Sequence, residues 1–585
     1  MSDVMECDVL VVGSGAGGLS AAVSAAARGL SVIVAEKEPW VGGTTALSGG
    51  FLWVPNNPVS CRDGIEDSIE AARIYLRHEA GNHFNAPAVD AFLDTGAEAV
   101  AFFERETAVQ FEAASAFSDY HPTAPGGRPG GRSIKARDFR AQELGSELKR
   151  LRPPLPELTF AGLMVGSGPE LKHFFNATRS LASAAYVARR LSAHARDLAL
   201  NGRGMLLTNG NALAARLFRS ALDRGVRVWT EAPVLRLERE DGAVRGAVLR
   251  RDGREQHLRV RRGVVLAAGG FPQDLERRRA MFPHDGTNQG HFSPAPKGNT
   301  GDGLRLGEQA GGAVEEGYPN AAAWVPVSRV PRKDGGWGVF PHFIDRAKPG
   351  LIAVLPNGRR FVNEANSYHD FIQALFAATP PGERVHAFLV VDQPFLRRFG
   401  LGFVKPFPVP VGPQIRSGYL KAGRSLAELA QKAGIDPRGL EATVAEWNRD
   451  VATGEDRAFG KGSTAYNRFN GDPEFQPNPC LAPIARGPFY AVEVVVGDLG
   501  TFAGLRTDGD ARVLDEAGRP VPGLYASGND MASIMGGNYP GGGITLGPAL
   551  VFGYIAARHL AGAQAEARQP EVALAGVQGA QRPGG

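Results

Sequence analysis

A glycine-rich turn near the start of the chain constrains its fold more than any other feature. The segment Gly13-Ser14-Gly15-Ala16-Gly17-Gly18 follows a short apolar run, Cys7 to Val12, that is typical of a β-strand. An alanine-rich helical stretch comes next, then a second apolar run from Ser31 to Ala35 and the acidic residue Glu36, which lies 23 residues after Gly13. The order strand, GxGxxG, helix, strand and acid predicts a Rossmann-like βαβ unit that binds a dinucleotide.

Each part of this unit has a physical reason. Gly13 permits the tight turn, Gly15 lets the backbone approach a pyrophosphate, and Gly18 lets the helix pack closely on the strand. The N-terminus of the helix then faces the phosphates, and the acidic residue binds the ribose. The cofactor-binding residues predicted here are Gly13, Ser14, Gly15, Ala16, Gly17, Gly18, Glu36 and Lys37.

A second loop rich in glycine, serine and threonine, residues 40–50, distinguishes between NAD and FAD. NAD domains usually need no such loop directly after their second strand, whereas a larger cofactor with a ribityl chain and a tricyclic ring does. The loop resembles the GG-T-T-x-x-SGG segment of flavoproteins of the succinate dehydrogenase and fumarate reductase superfamily. The resemblance implies FAD, held by Gly43, Thr44, Thr45, Ser48, Gly49 and Gly50. Covalent attachment in that superfamily uses a histidine in this loop, and Val41 to Gly50 contains none, so we expect non-covalent FAD.

Segments far along the chain resemble further cofactor-binding parts of the same superfamily. Residues 264–271 form an apolar run that ends in glycines, and residues 523–529 and 541–547 are again glycine-rich. An apolar helix is predicted from Pro548 to Leu560, and its N-terminal amides could hold the electron-rich edge of a reduced flavin. The cofactor residues implied by these segments are Val234, Ala268, Gly269, Gly528, Asn529, Thr545 and Leu546.

The sequence therefore predicts an α/β fold, with a discontinuous Rossmann-like FAD-binding domain and an inserted α+β cap domain that covers the substrate. We assign residues 1–315 and 489–561 to the two parts of the FAD-binding domain, 316–488 to the cap domain, and 562–585 to a disordered tail. In the cap, the proline-rich loop Leu401 to Pro413 is expected simply to pack as a loop. It could also line a wide pocket or touch a membrane surface.

Composition narrows the range of partners. The net charge is +4 over 585 residues of which 22% are charged, which excludes an acidic solvating tail and argues against a nucleic-acid binder. Three cysteines stand at irregular spacing without a CxxC pair, so we expect no disulfide framework, no metal site and a reducing compartment. The N-terminus lacks a positively charged leader and no apolar run reaches ~18 residues. We therefore predict a cytoplasmic protein, with peripheral membrane contact as an alternative.

Three segments that contain tyrosine are similar to those of the 3-ketosteroid Δ1-dehydrogenases. Tyr539 stands four residues before Gly543, Tyr368 follows an Asn-Glu-Ala segment, and Phe117-Ser118-Asp119-Tyr120 resembles a Phe-x-x-Tyr pair. The resemblance implies that Tyr539 and Gly543 clamp the C3 carbonyl of a steroid, that Tyr368 removes a proton and that Tyr120 supports it. The implied catalytic residues are Tyr120, Tyr368, Tyr539 and Gly543, and the implied substrate contacts are these four and Phe117.

The same resemblance implies 1,2-desaturation of a 3-ketosteroid, with a proton taken from C2 and a hydride transferred from C1 to flavin N5. Fumarate-reducing relatives carry a histidine in the segment that corresponds to residues 499–504, and this chain has none there, which disfavours dicarboxylate substrates. A 4-ene-forming steroid dehydrogenase, an enoate reductase and a flavin-binding protein without turnover are the alternatives. Tyr120 could equally be a packed aromatic residue. The chain shows no haem or iron–sulfur motif, so an external electron acceptor is expected, a quinone or a carrier protein.

Overall fold

The first apolar run forms a central strand of an eight-stranded sheet. In the computed structural model, which describes residues 5–284 and 290–562, this strand is Met5–Val12, and its neighbours on both sides run parallel to it. Its last four residues are buried, as expected for a parallel sheet that is covered on both faces. The strands in order across the sheet are Arg512–Leu514, Pro520–Ala526, Arg254–Leu266, Met5–Val12, Val32–Ala35 and Arg227–Trp229, and Ala243–Arg251 joins Arg254–Leu266 and Val234–Glu240.

The helix that follows the glycine-rich turn, Ala16–Ala26, is buried along nearly its whole length. It packs against Leu546–Leu560, the predicted C-terminal helix, and against Asn209–Asp223. The first of these contacts is close because Gly553 has no side chain, and a Cβ there would lie 2.0 Å from Ser20 Oγ. The predicted order of strand, helix and strand is confirmed, and with it the α/β FAD-binding fold.

The FAD-binding sheet is built from distant parts of the chain. The strand Pro520–Ala526 pairs in parallel with Arg254–Leu266, although residues 267–519 lie between them. Parallel pairing requires a crossover connection, and here the connection contains a second sheet. The predicted tail, apart from Gly562, lies outside the described residues.

The second sheet has six strands, and all its pairings are antiparallel. Its strands in order are Trp337–Pro341, Ala322–Pro331, Phe489–Thr501, His386–Val391 and Leu351–Val354, with Lys421–Gly423 also paired to Phe489–Thr501. Phe489–Thr501 lies beyond the predicted boundary at residue 488, yet it pairs with three strands of this sheet, because the backbone N–H and C=O groups of a buried strand need hydrogen-bond partners on both edges. The cap sheet therefore continues into the segment assigned to the FAD-binding domain, while the domain limits themselves stay a prediction.

The remaining elements are short sheets and helices around these two layers. The small sheets are Phe51–Trp53 with Ser133–Ala136 and Phe111–Ala113, Phe139–Arg140 with Leu206–Leu207, and Val314–Glu315 with Gly504–Leu505. The other α-helices are Pro58–Arg62, Ile69–Ala80, Ala86–Glu106, Pro169–Phe175, Leu181–Asn201, Leu275–Met281, Asp302–Gln309, Tyr368–Ala378, Gln393–Phe399, Gly412–Arg416, Leu426–Ala433, Pro437–Thr453 and Ala465–Asn470. Among the described residues, no helix combines the length and apolar character that crossing a membrane requires.

Candidate active site

The glycine-rich turn is tightly packed at Gly13 and Gly18 and open at Gly15. Gly13 has a φ of +102°, and a Cβ there would lie 2.3 Å from the carbonyl oxygen of Ala267. A Cβ at Gly18 would lie 2.0 Å from the carbonyl oxygen of Gly13. At Gly15 the nearest atom to a Cβ is Thr45 Oγ1 at 3.6 Å, so a ligand can approach the backbone there. This contrast fits a turn that packs through Gly13 and Gly18 and receives a pyrophosphate at Gly15.

Glu36 directly follows the second strand, Val32–Ala35, and lies buried beside the turn. Its carboxylate accepts hydrogen bonds from Ser14 Oγ at 2.5 Å and from the N–H groups of Ser14 at 3.1 Å and Glu38 at 2.9 Å. Burial raises the pKa of Glu36. The neighbouring Lys37 forms an ion pair with Asp302. Both side chains face the same cavity as the glycine-rich turn, where the ribose of a dinucleotide would lie.

A carboxylate that sequence analysis missed organises the segment above the cofactor site. Asp530 is fully buried, and it accepts hydrogen bonds from the N–H groups of Ala268 at 2.5 Å and Gly270 at 2.8 Å. Burial raises the pKa of Asp530 to about 6. These bonds hold Gly269 and Asn529 at the wall of the cavity. Asp530 belongs to no motif, and its role is visible only once the sheet brings residues 268–270 next to it.

The three tyrosines predicted to be catalytic come from distant parts of the chain and meet in one buried cluster. Tyr120 Oη donates a hydrogen bond of 3.0 Å to Tyr368 Oη. The ring centre of Tyr539 lies 4.9 Å from that of Tyr368 and 5.5 Å from that of Tyr120. A fourth tyrosine, Tyr466, packs with its ring centre 4.6 Å from that of Tyr120. Sequence analysis missed Tyr466 because no recognisable motif surrounds it.

Gly543 follows Tyr539 in a loop that leads into the helix Leu546–Leu560. Its φ is +101°, and a Cβ there would lie 2.6 Å from the backbone nitrogen of Leu52, so only glycine fits. The carbonyl oxygen of Gly543 accepts a hydrogen bond of 3.1 Å from the N–H of Trp53, whereas its own N–H has no acceptor within residues 5–284 and 290–562. A phenol and a free amide that face one cavity can both donate to one carbonyl oxygen.

Burial determines the protonation of the cluster. It raises the pKa of Tyr120 and of Tyr368 well above 10, and that of Tyr539 to about 12. The buried guanidinium of Arg346 acts in the opposite direction on Tyr120. Tyr120 donates its hydroxyl to Tyr368 Oη, and in the uncharged cluster this contact adds to the rise in the pKa of Tyr368. A phenolate formed at Tyr368 would have this hydroxyl as its donor.

Arg346 also fixes the backbone that leads to Tyr368. Its Nη1 donates hydrogen bonds to the carbonyl oxygens of Glu364 at 2.7 Å and Asn366 at 3.0 Å. Its Nε donates to the carbonyl oxygen of His342 at 3.1 Å. One guanidinium thus binds the backbone of the Asn-Glu-Ala segment and of the residue after it, and the helix Tyr368–Ala378 begins two residues further on. Sequence analysis missed this residue, since an arginine in a loop is usually a surface group.

A buried charge network holds the backbone next to Tyr120. Arg132 is 1% exposed, and it pairs with Asp67 at 3.1 Å and with Asp119 at 2.9 Å. Asp119 also accepts a hydrogen bond of 2.8 Å from Trp53 Nε1. The network lies between the small sheet that carries Trp53 and the tyrosine cluster, so it links the two.

We expect Arg132→Met to lower the free energy of unfolding of the holoenzyme by about 3–5 kcal/mol, because it leaves the buried carboxylate of Asp119 without its cation and that of Asp67 with only Arg128, 3.7 Å away. Urea titration followed by tryptophan fluorescence measures the change. Arg62→Met is the matched control, since Arg62 forms an ion pair with Glu104 but is largely exposed, and such pairs contribute only about 0–1 kcal/mol. Equal losses for the two variants would contradict a structural role for the network.

One cavity of about 1280 Å³ connects the glycine-rich turn to the tyrosine cluster. Every predicted cofactor residue except Gly18 lines it, and so do all five predicted substrate contacts. Pockets for a single small ligand usually have roughly 300–1,000 Å³, so this cavity has room for a dinucleotide and a second ligand. Part of the segment between Leu155 and Ala177 and much of the loop from Leu401 to Pro413 also line it. That loop therefore lines the pocket, one of the alternatives considered above, and does more than simply pack.

The fold and this cavity define the class of FAD-dependent oxidoreductases. A family model described as an FAD binding domain matches residues 8–546. The chain belongs to this FAD-binding family, together with the 3-oxosteroid 1-dehydrogenases. Its residues fit FAD: the backbone is open at Gly15, and the turn, the second loop and the start of the helix Leu546–Leu560 face one cavity.

Three relatives span nearly the whole chain. A 4-oxocyclohex-2-ene-1-carboxylate 5-dehydrogenase of Sinomonas cyclohexanicum is 46% identical over 95% of this chain and 94% of its own length. A 3-oxosteroid 1-dehydrogenase of Mycobacterium tuberculosis is 38% identical over 95% of this chain and 99% of its own. The crystal structure of the 3-ketosteroid Δ1-dehydrogenase of Sterolibacterium denitrificans with 1,4-androstadiene-3,17-dione has a TM-score of 0.86 at 35% identity, and covers 96% of this chain and 100% of that one. The chain is thus an FAD-dependent dehydrogenase that acts on CH–CH groups.

The FAD is expected to be bound without a covalent link. Within the described part of the chain, the residues that line the cavity include no histidine and no cysteine to form such a link. Acid precipitation should therefore release all the yellow colour into the supernatant, as measured by flavin absorbance. Flavin that stays with the washed, denatured pellet would show that the expectation is wrong.

Proposed function

We propose that this protein is a 3-oxosteroid 1-dehydrogenase, an enzyme that introduces a C1–C2 double bond next to a C3 ketone. The observation that supports this most directly is the tyrosine cluster. The 3.0 Å hydrogen bond between Tyr120 and Tyr368 lies beside the ring of Tyr539, and Gly543, whose N–H is free, lines the same cavity. Tyr539 and Gly543 offer two donors for a carbonyl oxygen, and Tyr368 offers a phenol that is hydrogen-bonded to Tyr120.

The two donors would make the C2 proton acidic. When that proton leaves, negative charge moves to the C3 oxygen, and the hydroxyl of Tyr539 and the N–H of Gly543 would donate to it. Preorganised donors of this kind stabilise the charge as it develops, and a low-dielectric site strengthens the effect. Tyr539 remains a phenol through the neutral range because burial raises its pKa to about 12, so it keeps the proton that it must donate.

Tyr368 would take the C2 proton. The electron pair of the broken C2–H bond then becomes the second bond between C1 and C2, while hydrogen leaves C1 with its own electron pair. Bound FAD supplies the acceptor for this hydride, and an external quinone or carrier protein would reoxidise it. Tyr120 would stabilise the phenolate form of Tyr368 through the hydrogen bond that it donates.

A monocyclic keto acid is the second candidate substrate. The 46% identity to a dehydrogenase named for 4-oxocyclohex-2-ene-1-carboxylate favours it. Such a compound presents the same ketone, α-proton and β-hydride to the same residues, so the cluster serves either substrate. The two candidates differ only in what lies at the far end of the molecule from the ketone.

Anaerobic bleaching of the bound flavin tests both candidates. The purified holoenzyme is mixed with 4-ene-3-ketosteroids, 5α-3-ketosteroids, 4-oxocyclohex-2-ene-1-carboxylate and plain cyclohexanones, and absorbance near 450 nm is followed while the products are identified by mass spectrometry and NMR. A 1-ene product supports the proposal. A 4-ene product from a 5α-ketosteroid would assign the enzyme to the 4-ene-forming alternative. If the flavin stays oxidised with every ketone, the proposed function is wrong, and the remaining alternatives are a reductase and a flavin-binding protein without turnover.

A further inference from the structure

The loop that covers the outer part of the cavity carries a charge in an unusual setting. Lys405 is half-buried in this proline-rich loop and lines the same cavity as the tyrosine cluster. Its Nζ lies 5.7 Å from the ring centre of Phe403. Among residues 5–284 and 290–562, no carboxylate lies within 4.0 Å of this ammonium group and no oxygen accepts a hydrogen bond from it. Pro406, Phe407 and Pro408 line the cavity next to it, so its surroundings are apolar.

An ammonium group in such a place is costly. Removing a charge from water without a partner is unfavourable, and proteins usually compensate with an ion pair or hydrogen bonds. Burial lowers the pKa of Lys405 to about 8, which still leaves most of it protonated at neutral pH. At neutral pH the charge is therefore mostly present, and no carboxylate of residues 5–284 and 290–562 pairs with it.

The other cations along the cavity are compensated or exposed. Near the cofactor residues, Lys37 pairs with Asp302. On the small sheet that carries Trp53, Lys135 pairs with Glu112 at 2.8 Å. Lys348 donates to the carbonyl oxygens of Asn470 and Gly471 at 2.7 and 2.8 Å. Lys172 lies at the exposed rim, where water solvates it. Lys405 differs from all of these.

Lys405 and the tyrosines line the same cavity and come from different parts of the chain. The tyrosine cluster continues through Phe117, whose ring centre lies 6.4 Å from that of Tyr120 and 5.4 Å from that of Phe469. The loop that carries Lys405 follows the helix Gln393–Phe399. The ring centre of Phe399 lies 5.9 Å from that of Phe175, which also lines the cavity. A substrate held by its ketone at the tyrosines therefore shares one cavity with the lysine.

We propose that Lys405 binds a carboxylate carried by the substrate at the end remote from the reacting ketone, so that the preferred substrates are cyclic keto acids. This rests on the proposed function, because it takes the ketone end to be held by Tyr539 and Gly543. The carboxylate supplies the missing partner of the ammonium group. Both a monocyclic keto acid and a 3-ketosteroid with an acidic side chain present this chemistry, and the length of the molecule distinguishes them.

Matched acids and amides test the inference. Anaerobic flavin reduction is measured against substrate concentration for 4-oxocyclohex-2-ene-1-carboxylate and its primary amide, and for a 3-oxo-4-ene steroid with a side-chain carboxylate and its amide. For wild type we expect the acid of at least one pair to have the higher ratio of limiting rate to apparent Kd, by about tenfold or more, since hydrogen bonds to charged groups are the stronger ones. Lys405→Met should bring the acid-to-amide preference, the quotient of the two rate-to-Kd ratios, close to one. Lys405→Arg should largely keep this preference. Lys172→Met, which removes an exposed charge from the rim, is the control and should retain the wild-type ratio.

A second measurement separates this inference from the proposed reaction. Binding of 4-hydroxybenzoate and of 4-hydroxybenzamide, planar phenols that cannot be desaturated, is followed through the spectrum of the oxidised flavin. If wild type binds the benzoate more tightly than the benzamide and Lys405→Met loses this difference, the result supports the lysine site. It does so even if no ketone bleaches the flavin, an outcome that would overturn the proposed function alone. If the acid and the amide bleach the flavin equally well, for the monocyclic pair and for the steroid pair, the inference is overturned and the proposed function stands. A preference for acids that Lys405→Met retains would overturn it as well.

Discussion

Replacing Tyr368 by phenylalanine is expected to slow reduction of the bound flavin by ~10²–10⁴, the usual contribution of a general base. The change removes one oxygen from a cluster whose packing is otherwise aromatic, so the fold and the FAD content should persist. Anaerobic stopped-flow absorbance with a saturating ketone measures the rate. Tyr490→Phe is the matched control, because this buried tyrosine donates its hydroxyl to Gln393 Oε1 at 2.6 Å and does not line the cavity.

The pH dependence of the same step identifies the base. Burial raises the pKa of Tyr368 well above 10, so its phenolate form is scarce at neutral pH and becomes more abundant as the pH rises. The wild-type rate should therefore increase with pH through the alkaline range. Tyr120→Phe should slow flavin reduction less than Tyr368→Phe does and move the pH profile to higher pH, since the phenolate loses its donor.

Wild type should also exchange the C2 proton of the substrate with D₂O when the flavin is already reduced, and Tyr368→Phe should not. A Tyr368→Phe variant that reduces flavin at the wild-type rate would assign the base to another group.

Tyr539→Phe is expected to slow flavin reduction by ~10²–10³, because it removes one of two donors to the developing oxyanion. The apparent Kd of the ketone should change less than the rate, since the ground-state carbonyl carries little of that charge. The control is Tyr554→Phe, on the helix that follows the clamp, where the hydroxyl donates to Glu98 at 2.7 Å. FAD retention measured on the same samples separates loss of chemistry from loss of cofactor. Near-normal flavin reduction by Tyr539→Phe would mean that this tyrosine only packs.

Sequence reasoning predicted the parts of the site that lie in local motifs. The glycine-rich turn, the second loop and the Tyr539-to-Gly543 segment each contain their chemistry within a few residues, and all of them face the cavity. Arg346, Tyr466 and Asp530 could not be predicted in this way. Each acts on residues that are distant in sequence, and each is recognisable only by its burial and its partners in the folded chain.

The fold shows the same division between local and distant information. The βαβ unit was predictable because its turn chemistry and its two buried apolar runs lie within the first 36 residues. The position of Phe489–Thr501 was not, because a strand's partners are set by pairing across the sheet and not by its own composition. The loop from Leu401 to Pro413 likewise shows no helical or strand period, so its place at the cavity wall follows only from the structure.

The split FAD-binding sheet has a consequence for how the protein is made. A ribosome that has just released the strand Arg254–Leu266 must still synthesise about 260 residues before Pro520–Ala526 is complete, which at ~5–20 residues per second takes roughly 13–50 s. During this interval Val264 to Leu266, at the end of that strand, lack their partner on one edge, and the helix Ala16–Ala26 lacks the C-terminal helix that covers it. Exposed edges and apolar helices of this kind are the surfaces that molecular chaperones bind. Soluble expression should therefore depend on chaperone supply and on the speed of translation, and a chain that ends before residue 520 should aggregate however well its first βαβ unit folds.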